Sequence, residues 1–214
     1  MAKIFIAGGS GRVATALIKN LVADSNEVVA GARHPENVVE MDHVNAVKLD
    51  LHDGVDAIAD LMKGSDAVYF TAGSRGADLL QTDAMGAVKT MQAAEKLGIK
   101  RYVMLSSLYT LESERKWHEG GLADLLDYTT AKFFADNYLV HDTDLDYTIV
   151  QPTSLTEEAG TGQIYIGKEL PQKTNPIPDV AKVLADVLKH PNTVKKVFMM
   201  SSGSQAIDQA LANV

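Results

Sequence analysis

Cysteine is absent from the 214-residue sequence. Its absence excludes disulfide bonds, thiolate catalysis and cysteine-ligated zinc, and it fits a reducing compartment. Long apolar runs are also lacking at the amino terminus, where MAKIFIAGG has only a four-residue run before its glycines. Such a run is too short for a signal sequence or a membrane span, so we expect a cytoplasmic protein.

Basic residues are fewer than acidic residues in this sequence. The 20 Lys and Arg residues are outnumbered by 28 Asp and Glu, the net charge is −8, and no basic cluster occurs. Nucleic-acid binding depends first on neutralising phosphates, so we expect no nucleic-acid partner. We expect no membrane partner either, and the composition is compatible with a basic cofactor pocket inside an acidic protein.

Patterns for metal binding and nucleophilic catalysis are missing as well. The 6 histidines are scattered without ligand spacing, so no metal site is expected. The segment His141–Tyr147 has the alternate aspartates of a calcium loop, but Tyr147 stands where that loop needs glycine and Thr153 where it needs glutamate. No G-x-S-x-G sequence is present to support a serine hydrolase.

What the sequence does contain is an alternation of apolar runs and helix-like segments. Hydrophobic residues make up 46% and charged residues 22%, as in a globular domain with a real core. Strands are predicted at Lys3–Ala7, Val28–Ala32, Ala46–Leu49, Ala67–Ala72, Arg101–Ser107 and Asp146–Pro152, with helices around Thr82–Leu97 and Leu122–Leu139. Strands that are apolar on both faces, separated by helices, predict an α/β fold: a single Rossmann-like, doubly wound parallel sheet with helices on both faces.

Residues 152–214 form a small carboxyl-terminal portion. They predict the strands QIYIG and KVFMM, a helix at IPDVAKVLADVL and a terminal helix. This portion is too short for a separate substrate domain. We therefore predict one domain for residues 1–214, with the carboxyl-terminal portion on its substrate side.

A glycine loop, AGGSGRVATA, links the first strand to a helix on which Val13, Leu17, Ile18 and Leu21 repeat. Its spacing is Gly8-x-x-Gly11-x-x-Ala14, and such a loop lets the backbone approach a pyrophosphate at a helix amino terminus. The alternative is an ordinary glycine-rich turn, but the place between strand and helix favours a dinucleotide site. The predicted cofactor contacts are Gly8, Gly9, Ser10, Gly11, Arg12 and Val13.

Arg33 stands at the end of the second strand, where NAD-preferring sites carry an acidic residue for the ribose 2′-hydroxyl. A guanidinium binds a 2′-phosphate with charge-assisted bonds, so we predict NADP(H) rather than NAD(H). Arg12 could reach the same phosphate, and the alternative for Arg33 is a solvated loop residue. Further cofactor contacts are predicted where the third and fourth strands end, at Asp50, Leu51, Thr71, Ala72 and Gly73.

The segment DYTTAK places Tyr128 four residues before Lys132. On a helix this spacing puts both side chains on one face, but it also arises readily by chance. Together with the glycine loop, Arg33, VKTMQAAEKLGIKRYVMLSS and LDYTIVQPTSLTEEAGTG, it resembles atypical short-chain dehydrogenase/reductases. The most similar subgroup is that of NmrA-like, biliverdin/flavin-reductase-like and epimerase-like NAD(P)-binding proteins.

The resemblance implies roles for particular residues. Tyr128 would be the acid/base, Lys132 would favour its ionised form and hold the nicotinamide ribose, and Ser107 would orient the substrate oxygen. Asp83 stands where the family usually has an Asn that holds a relay water. The loop Pro152, Thr153 and Ser154 is similar to the one that flanks the nicotinamide. The alternative is that Tyr128 only packs its ring and Lys132 only binds ribose.

The function expected from these features is an NADP(H)-dependent oxidoreductase acting on a small carbonyl, quinone or flavin-like acceptor. A second hypothesis is a non-catalytic NADP-binding redox sensor with a protein partner. A nucleotide-sugar epimerase or dehydratase is a third, disfavoured because the carboxyl-terminal portion is short. The loop Thr110–Gly121 is either one wall of the substrate mouth, with Trp117 as a stacking platform, or a mobile surface loop.

Overall fold

The computed structural model describes residues 1–214, and its strands and helices alternate along the chain. The strands are β1 (Lys3–Ala7), β2 (Glu27–Ala32), β3 (Val44–Lys48), β4 (Ala67–Phe70), β5 (Arg101–Leu105), β6 (Asp146–Pro152), β7 (Ser154–Thr156), β8 (Gln163–Ile166), β9 (Thr174–Pro176), β10 (Lys196–Ser202) and β11 (Gln205–Ala206). The α-helices are α1 (Arg12–Ala23), α2 (Val55–Met62), α3 (Gly86–Leu97), α4 (Leu126–His141), α5 (Ile177–Asp186) and α6 (Ile207–Ala212). A π-helical segment, Leu79–Met85, leads into α3, and a 3₁₀ segment, Gly120–Leu125, leads into α4.

Most strands form one sheet in the order β11-β8-β10-β6-β5-β4-β1-β2-β3. The strands from β10 to β3 run parallel, and β8 pairs antiparallel with β10 and β11 at one edge. The predicted α/β architecture with a mostly parallel, doubly wound sheet is therefore confirmed. The order reverses at β1, because β2 and β3 lie on one side of it and β4 lies on the other. Open α/β sheets bind ligands at the carboxyl ends of strands at such a switch point.

Helices cover both faces of this sheet. Alternate residues of a strand point to opposite faces, so Ile4 and Ile6 of β1 join the core beneath α1 and α5, and Phe5 joins the core beneath α2, α3 and α4. None of the helices combines the length and the apolarity that a transmembrane span requires. β8 and β10 of the carboxyl-terminal portion share the sheet with the amino-terminal strands, and we keep the prediction of a single domain.

The structure corrects several predicted boundaries. β4 ends at Phe70 and β5 at Leu105, each two residues earlier than predicted, because the chain leaves the sheet there to form loops. β3 begins at Val44 and is an exposed edge strand, so the expectation of strands that are apolar on both faces is wrong for it. α2 is absent from the predicted elements, because its 8 residues give too short a window for a helical period.

Candidate functional site

An open cleft follows the carboxyl ends of the strands around β1, where the sheet order reverses. Its volume is about 770 Å³, and 24 residues line it. The predicted site residues among them are Gly8, Ser10, Gly11, Arg12, Val13, Arg33, Asp50, Leu51, Thr71, Ala72, Gly73, Tyr128 and Lys132. Segments far apart in the sequence, from the glycine loop to α4, therefore meet in one cavity.

The glycine loop is held too close to the sheet to tolerate side chains. Gly8 has φ of +94°, and a Cβ there would lie 2.5 Å from the backbone of Ala72. A Cβ on Gly9 would lie 2.7 Å from the Cβ of Ala30. The amides of Gly8 and Gly9 both donate to the carbonyl of Gly31, at 2.9 Å. Gly9 is buried and does not line the cleft, so its place in the structure is against the sheet.

The amino terminus of α1 opens from this loop with its first backbone amides uncapped. Gly11 is the N-cap residue, no side chain caps the helix, and its first turn holds no acidic residue. Free N–H groups and the positive end of the helix dipole favour an anion. The loop thus fits the pyrophosphate of a dinucleotide.

Three arginines line the cleft, Arg12, Arg33 and Arg75, and Arg12 and Arg33 differ in their surroundings. Arg12 forms an ion pair with Glu157, which directly follows β7. This exposed pair links the glycine loop to the carboxyl-terminal portion. Arg33 is exposed beside the cleft and forms no ion pair or side-chain hydrogen bond. The guanidinium of Arg33 is therefore available to a ligand phosphate, as is that of Arg75, which is also exposed and unpaired in the lining.

The segment after β3 forms the next part of the rim, and several lining residues lie beyond the predicted set. Asp50 accepts a hydrogen bond from the His52 amide at 2.9 Å, and Nζ of Lys89 donates to the carbonyls of Leu51 and His52 at 3.1 and 3.0 Å. His52, Ser74 and Arg75 also line the cleft. Their signal in the sequence is only that they adjoin predicted strand ends.

His52 is tied to Asp78 across the mouth of this part of the cleft. The ring Nε2 of His52 lies 2.7 Å from Oδ2 of Asp78, which also accepts from Thr82 Oγ1 at 2.5 Å. The Thr82 hydroxyl, followed by the His52 ring, holds the pKa of Asp78 below its usual value. This hydrogen bond therefore joins the loop after β3 to the segment that follows β4.

Tyr128 and Lys132 lie on the face of α4 that borders the cleft. Lys132 is only 2% exposed, and its Nζ donates to the carbonyl of Leu105 at 3.3 Å. The same Nζ lies 5.9 Å from the ring centroid of Tyr128 and 5.3 Å from that of Phe70. A buried ammonium with no ion-pair partner and one protein acceptor has donors left for a ligand.

Asp83 lies on the π-helical segment, fully buried and outside the residues that line the cleft. Its Oδ2 accepts from the amide of Ser74 at 2.9 Å, and its Oδ1 has no partner. A Cβ on Gly73 would lie 3.4 Å from that Oδ1. Asp83 therefore supports the loop after β4 from behind, whereas the resemblance implied a place beside the substrate.

The remaining predicted residues also lie outside the lining of the cleft. Ser107 is half-buried just beyond β5. Pro152 and Thr153 are buried, and Thr153 donates from its amide and hydroxyl to Oδ1 of Asn175, at 3.0 and 2.7 Å. Ser154 is exposed at the start of β7, and Leu155 is the residue of this segment that lines the cleft. The loop that begins at Pro152 thus reaches the cleft through Leu155, which the sequence analysis does not predict as a site residue.

Trp117 belongs to the packed interior of its loop. It is 8% exposed, its ring lies 5.5 Å from that of Phe133, and its Nε1 donates to the carbonyl of Tyr109 at 2.8 Å. It does not line the cleft, so the structure gives no support to a stacking platform for substrate at this position.

A buried polar cluster lies behind Lys132. Its centre is Asp136 of α4, whose Oδ2 accepts from the hydroxyls of Ser106 and Thr110, the latter at 2.5 Å. Gln151 of β6 donates to Oγ1 of Thr110 at 2.6 Å. Burial raises the pKa of Asp136 to about 6, against the lowering effect of these hydroxyls and of the Lys132 charge. Sequence reasoning misses this cluster, because its members come from three segments without a shared motif.

Comparisons with known proteins agree with this site. A family model described as NAD(P)H-binding matches residues 8–191. The oxidoreductase ylbE from Lactococcus lactis is 42% identical over 99% of this chain and 96% of that one, with a TM-score of 0.95. A Bacillus halodurans protein, provisionally described as an NAD-dependent epimerase/dehydratase, is 30% identical over 100% of both chains, with a TM-score of 0.89. An uncharacterized sugar epimerase of Bacillus subtilis, YhfK, is 34% identical over 98% of each chain.

The fold and the cleft define a Rossmann-type protein with the architecture of NAD(P)-binding oxidoreductases and epimerases. The chain belongs to the NAD(P)H-binding family. The resemblance to atypical short-chain dehydrogenase/reductases is thereby confirmed.

Proposed function

We propose that this protein is an NADP(H)-dependent oxidoreductase acting on a small carbonyl, quinone or flavin-like acceptor. The observation that carries the proposal is that one cleft joins the uncapped glycine loop, the unpaired Arg33 and the Tyr128–Lys132 pair. Within this open cleft Lys132 contacts the end of β5, which β4 and β1 separate from β2, the strand that Arg33 follows. A cytoplasmic location and a small-molecule substrate, without nucleic-acid or membrane partners, remain predictions.

Arg33 supports the preference for NADP(H) over NAD(H). It follows β2, the strand whose end meets the adenosine ribose in dinucleotide-binding folds. No protein carboxylate forms an ion pair with it, whereas Arg12 is engaged by Glu157. A guanidinium without an ion-pair partner is free to form charge-assisted hydrogen bonds with the dianionic 2′-phosphate.

Lys132 would hold the nicotinamide ribose, and Tyr128 would supply a proton where the acceptor needs one. When bound, the nicotinamide supplies the hydride equivalent. Lys132 is fixed by the carbonyl of Leu105 and presents its remaining donors to the cleft. The Lys132 ammonium lies 5.9 Å from the centroid of the Tyr128 ring, so both groups would act on the same part of a bound substrate.

The other residues implied by the family are assigned supporting parts. Ser107 would orient the substrate oxygen from the loop beyond β5. Asp83 would fix the loop after β4 through Ser74. Pro152, Thr153 and Ser154 would flank the nicotinamide carboxamide, with Leu155 in contact with the cleft.

A sugar-nucleotide epimerase is a second candidate, because the names of two relatives point that way. Such an enzyme would interconvert nucleotide sugars without net change in nicotinamide absorbance. A redox sensor would bind NADPH tightly without turnover. These outcomes separate the three hypotheses.

The decisive assay follows NADPH oxidation by absorbance against quinones, aldehydes and flavins, with wild type and Tyr128→Phe in parallel. We expect wild type to reduce at least one acceptor. A mutant slower by about 100-fold, in the range of general acid catalysis, would identify Tyr128 as the proton donor. Equal rates would indicate an acceptor that needs no protein acid. NADPH binding without oxidation by either protein would contradict the oxidoreductase and favour the sensor.

A further inference from the structure

The carboxylate of Asp136 lies where burial strongly disfavours its charged form. It is fully buried, its Oδ1 has no hydrogen-bond partner, and no cation forms an ion pair with it. Hydroxyl donors reach only its Oδ2, from Ser106 and Thr110. An uncompensated buried charge destabilises a fold, so an amide or an apolar side chain would serve packing better. A carboxylate here indicates a role for its charge.

That charge lies behind Lys132 on the same helix. Residues four apart on a helix are neighbours on one face, so Tyr128, Lys132 and Asp136 form a single row. Lys132 and Asp136 also contact consecutive residues of the chain at the end of β5. Nζ of Lys132 donates to the carbonyl of Leu105, and Asp136 accepts from the hydroxyl of Ser106. The two charges thus hold one backbone segment from adjacent turns of α4.

We propose that Asp136 is a positioning residue that acts through Lys132. Its carboxylate attracts the buried ammonium from the next turn of α4 and holds it directed at the cleft, and it fixes the Ser106–Thr110 segment that carries Ser107. Asp136 itself touches neither substrate nor cofactor, because it does not line the cleft. The inference rests on the proposed function, in which Lys132 binds NADPH and supports Tyr128.

The groups that face Asp136 come from each packed element. They are Lys132 on α4, Tyr102 on β5, Ser106 and Thr110 after β5, and Gln151 on β6. Burial raises the pKa of Tyr102, whose hydroxyl is bonded to Thr90 at 2.7 Å, so this phenol stays neutral at physiological pH. The only opposite charge acting on Asp136 is therefore that of Lys132, and the charge of Asp136 is lost as pH falls through about 6.

The test compares wild type, Asp136→Asn and the control Asp186→Asn. Asp186 is a buried carboxylate of α5, beneath the opposite face of the sheet, and it pairs with Lys182 and Lys189. Affinity for NADPH and kcat for the best acceptor are measured from pH 5 to pH 9. We expect Asp136→Asn to bind NADPH about threefold to tenfold more weakly at pH 8 and to have a kcat at least tenfold lower. The decrease in kcat that wild type shows as pH falls through about 6 should be absent from this variant. Asp186→Asn is expected to change none of these.

Ser106→Ala provides a second, milder test, since it removes one hydroxyl that lowers the pKa of Asp136. The acid limb should then move to higher pH, an effect that a purely structural role would not produce. Affinity and pH profiles that match wild type in a folded Asp136→Asn or Ser106→Ala variant would overturn the inference. If wild type binds NADPH but reduces no acceptor, the inference is tested only by the NADPH affinity of Asp136→Asn relative to wild type at pH 8. If wild type binds no NADPH, the proposed function fails and this inference fails with it.

Discussion

Nζ of Lys132 donates to the carbonyl oxygen of Leu105, 3.3 Å away, and is the buried cation of the cleft. This contact sets the ammonium between the end of β5 and the cavity. The position of the amine is therefore determined before any ligand binds, which reduces the ordering cost of binding.

Replacing Lys132 by Met should weaken NADPH binding by about 10-fold to 100-fold, since a charged hydrogen bond contributes roughly 1.5–3 kcal/mol. Fluorescence titration of NADPH measures the change. The matched control is Lys96→Met, because Lys96 is exposed and pairs with Asp56 on the neighbouring helix. Equal losses in both variants would remove Lys132 from the cofactor site.

Arg33→Ala should weaken NADPH by about 10-fold to 100-fold and leave NADH nearly unchanged. The reason is that only NADPH carries the 2′-phosphate that a guanidinium binds. Competition titrations with both cofactors give the ratio directly. Arg115→Ala serves as control, because Arg115 is exposed in the Glu114–His118 turn outside the cleft. A similar loss for both cofactors would contradict the assignment.

Gly8→Ala should lower the free energy of unfolding by at least roughly 2 kcal/mol and Tm by roughly 4–8 °C. The new Cβ would combine a strained φ of +94° with a 2.5 Å approach to Ala72. NADPH binding should fall with it, because the loop must shift. Gly121→Ala has open space around its Cβ and is the control, expected within about 0.5 kcal/mol of wild type. Equal melting temperatures for Gly8→Ala and wild type would contradict the close packing of Gly8 against Ala72.

Asp136 should make the stability of the protein depend on pH. Its pKa is raised from 3.8 to about 6 by burial, so the folded protein holds this proton more tightly than the unfolded chain. The stabilisation is complete below pH 3.8 and is lost as pH rises through 6. Relative to Asp136→Asn, wild type should lose about 2 kcal/mol of unfolding free energy between pH 4 and pH 8.

Urea denaturation of both proteins at each pH measures that difference. Asp186→Asn is again the comparison for a buried carboxylate on the other face of the sheet. A constant difference between wild type and Asp136→Asn across this pH range would show that Asp136 titrates as it does in the unfolded chain.

Local patterns made much of the fold and part of the site predictable. β1, β6 and the glycine loop are readable from runs of apolar residues and from glycine spacing, since both are set by neighbours in the chain. The position of Arg33 directly after the second strand is predictable for the same reason, whereas its role toward NADP(H) stays a prediction. The i, i+4 spacing of Tyr128 and Lys132 places them on one face of any helix that forms there.

Contacts between distant segments required the tertiary structure. Arg12 meets Glu157, 145 residues later, and Asp136 meets Ser106, 30 residues earlier. Asp83 turns to Ser74 and away from the cleft. Trp117 enters the interior against Phe133. Side-chain direction and burial decide each of these, and both depend on how α4 and the loops pack on the sheet.

The sequence by itself thus determined the class of fold and the chemistry available at its carboxyl edge, since periodicity and loop composition are local properties. Only the tertiary structure decided which polar groups are buried, which are paired and which remain free for a ligand. The physical reason is that desolvation and hydrogen-bond pairing depend on the surrounding atoms, and those atoms come from segments that the linear order keeps apart.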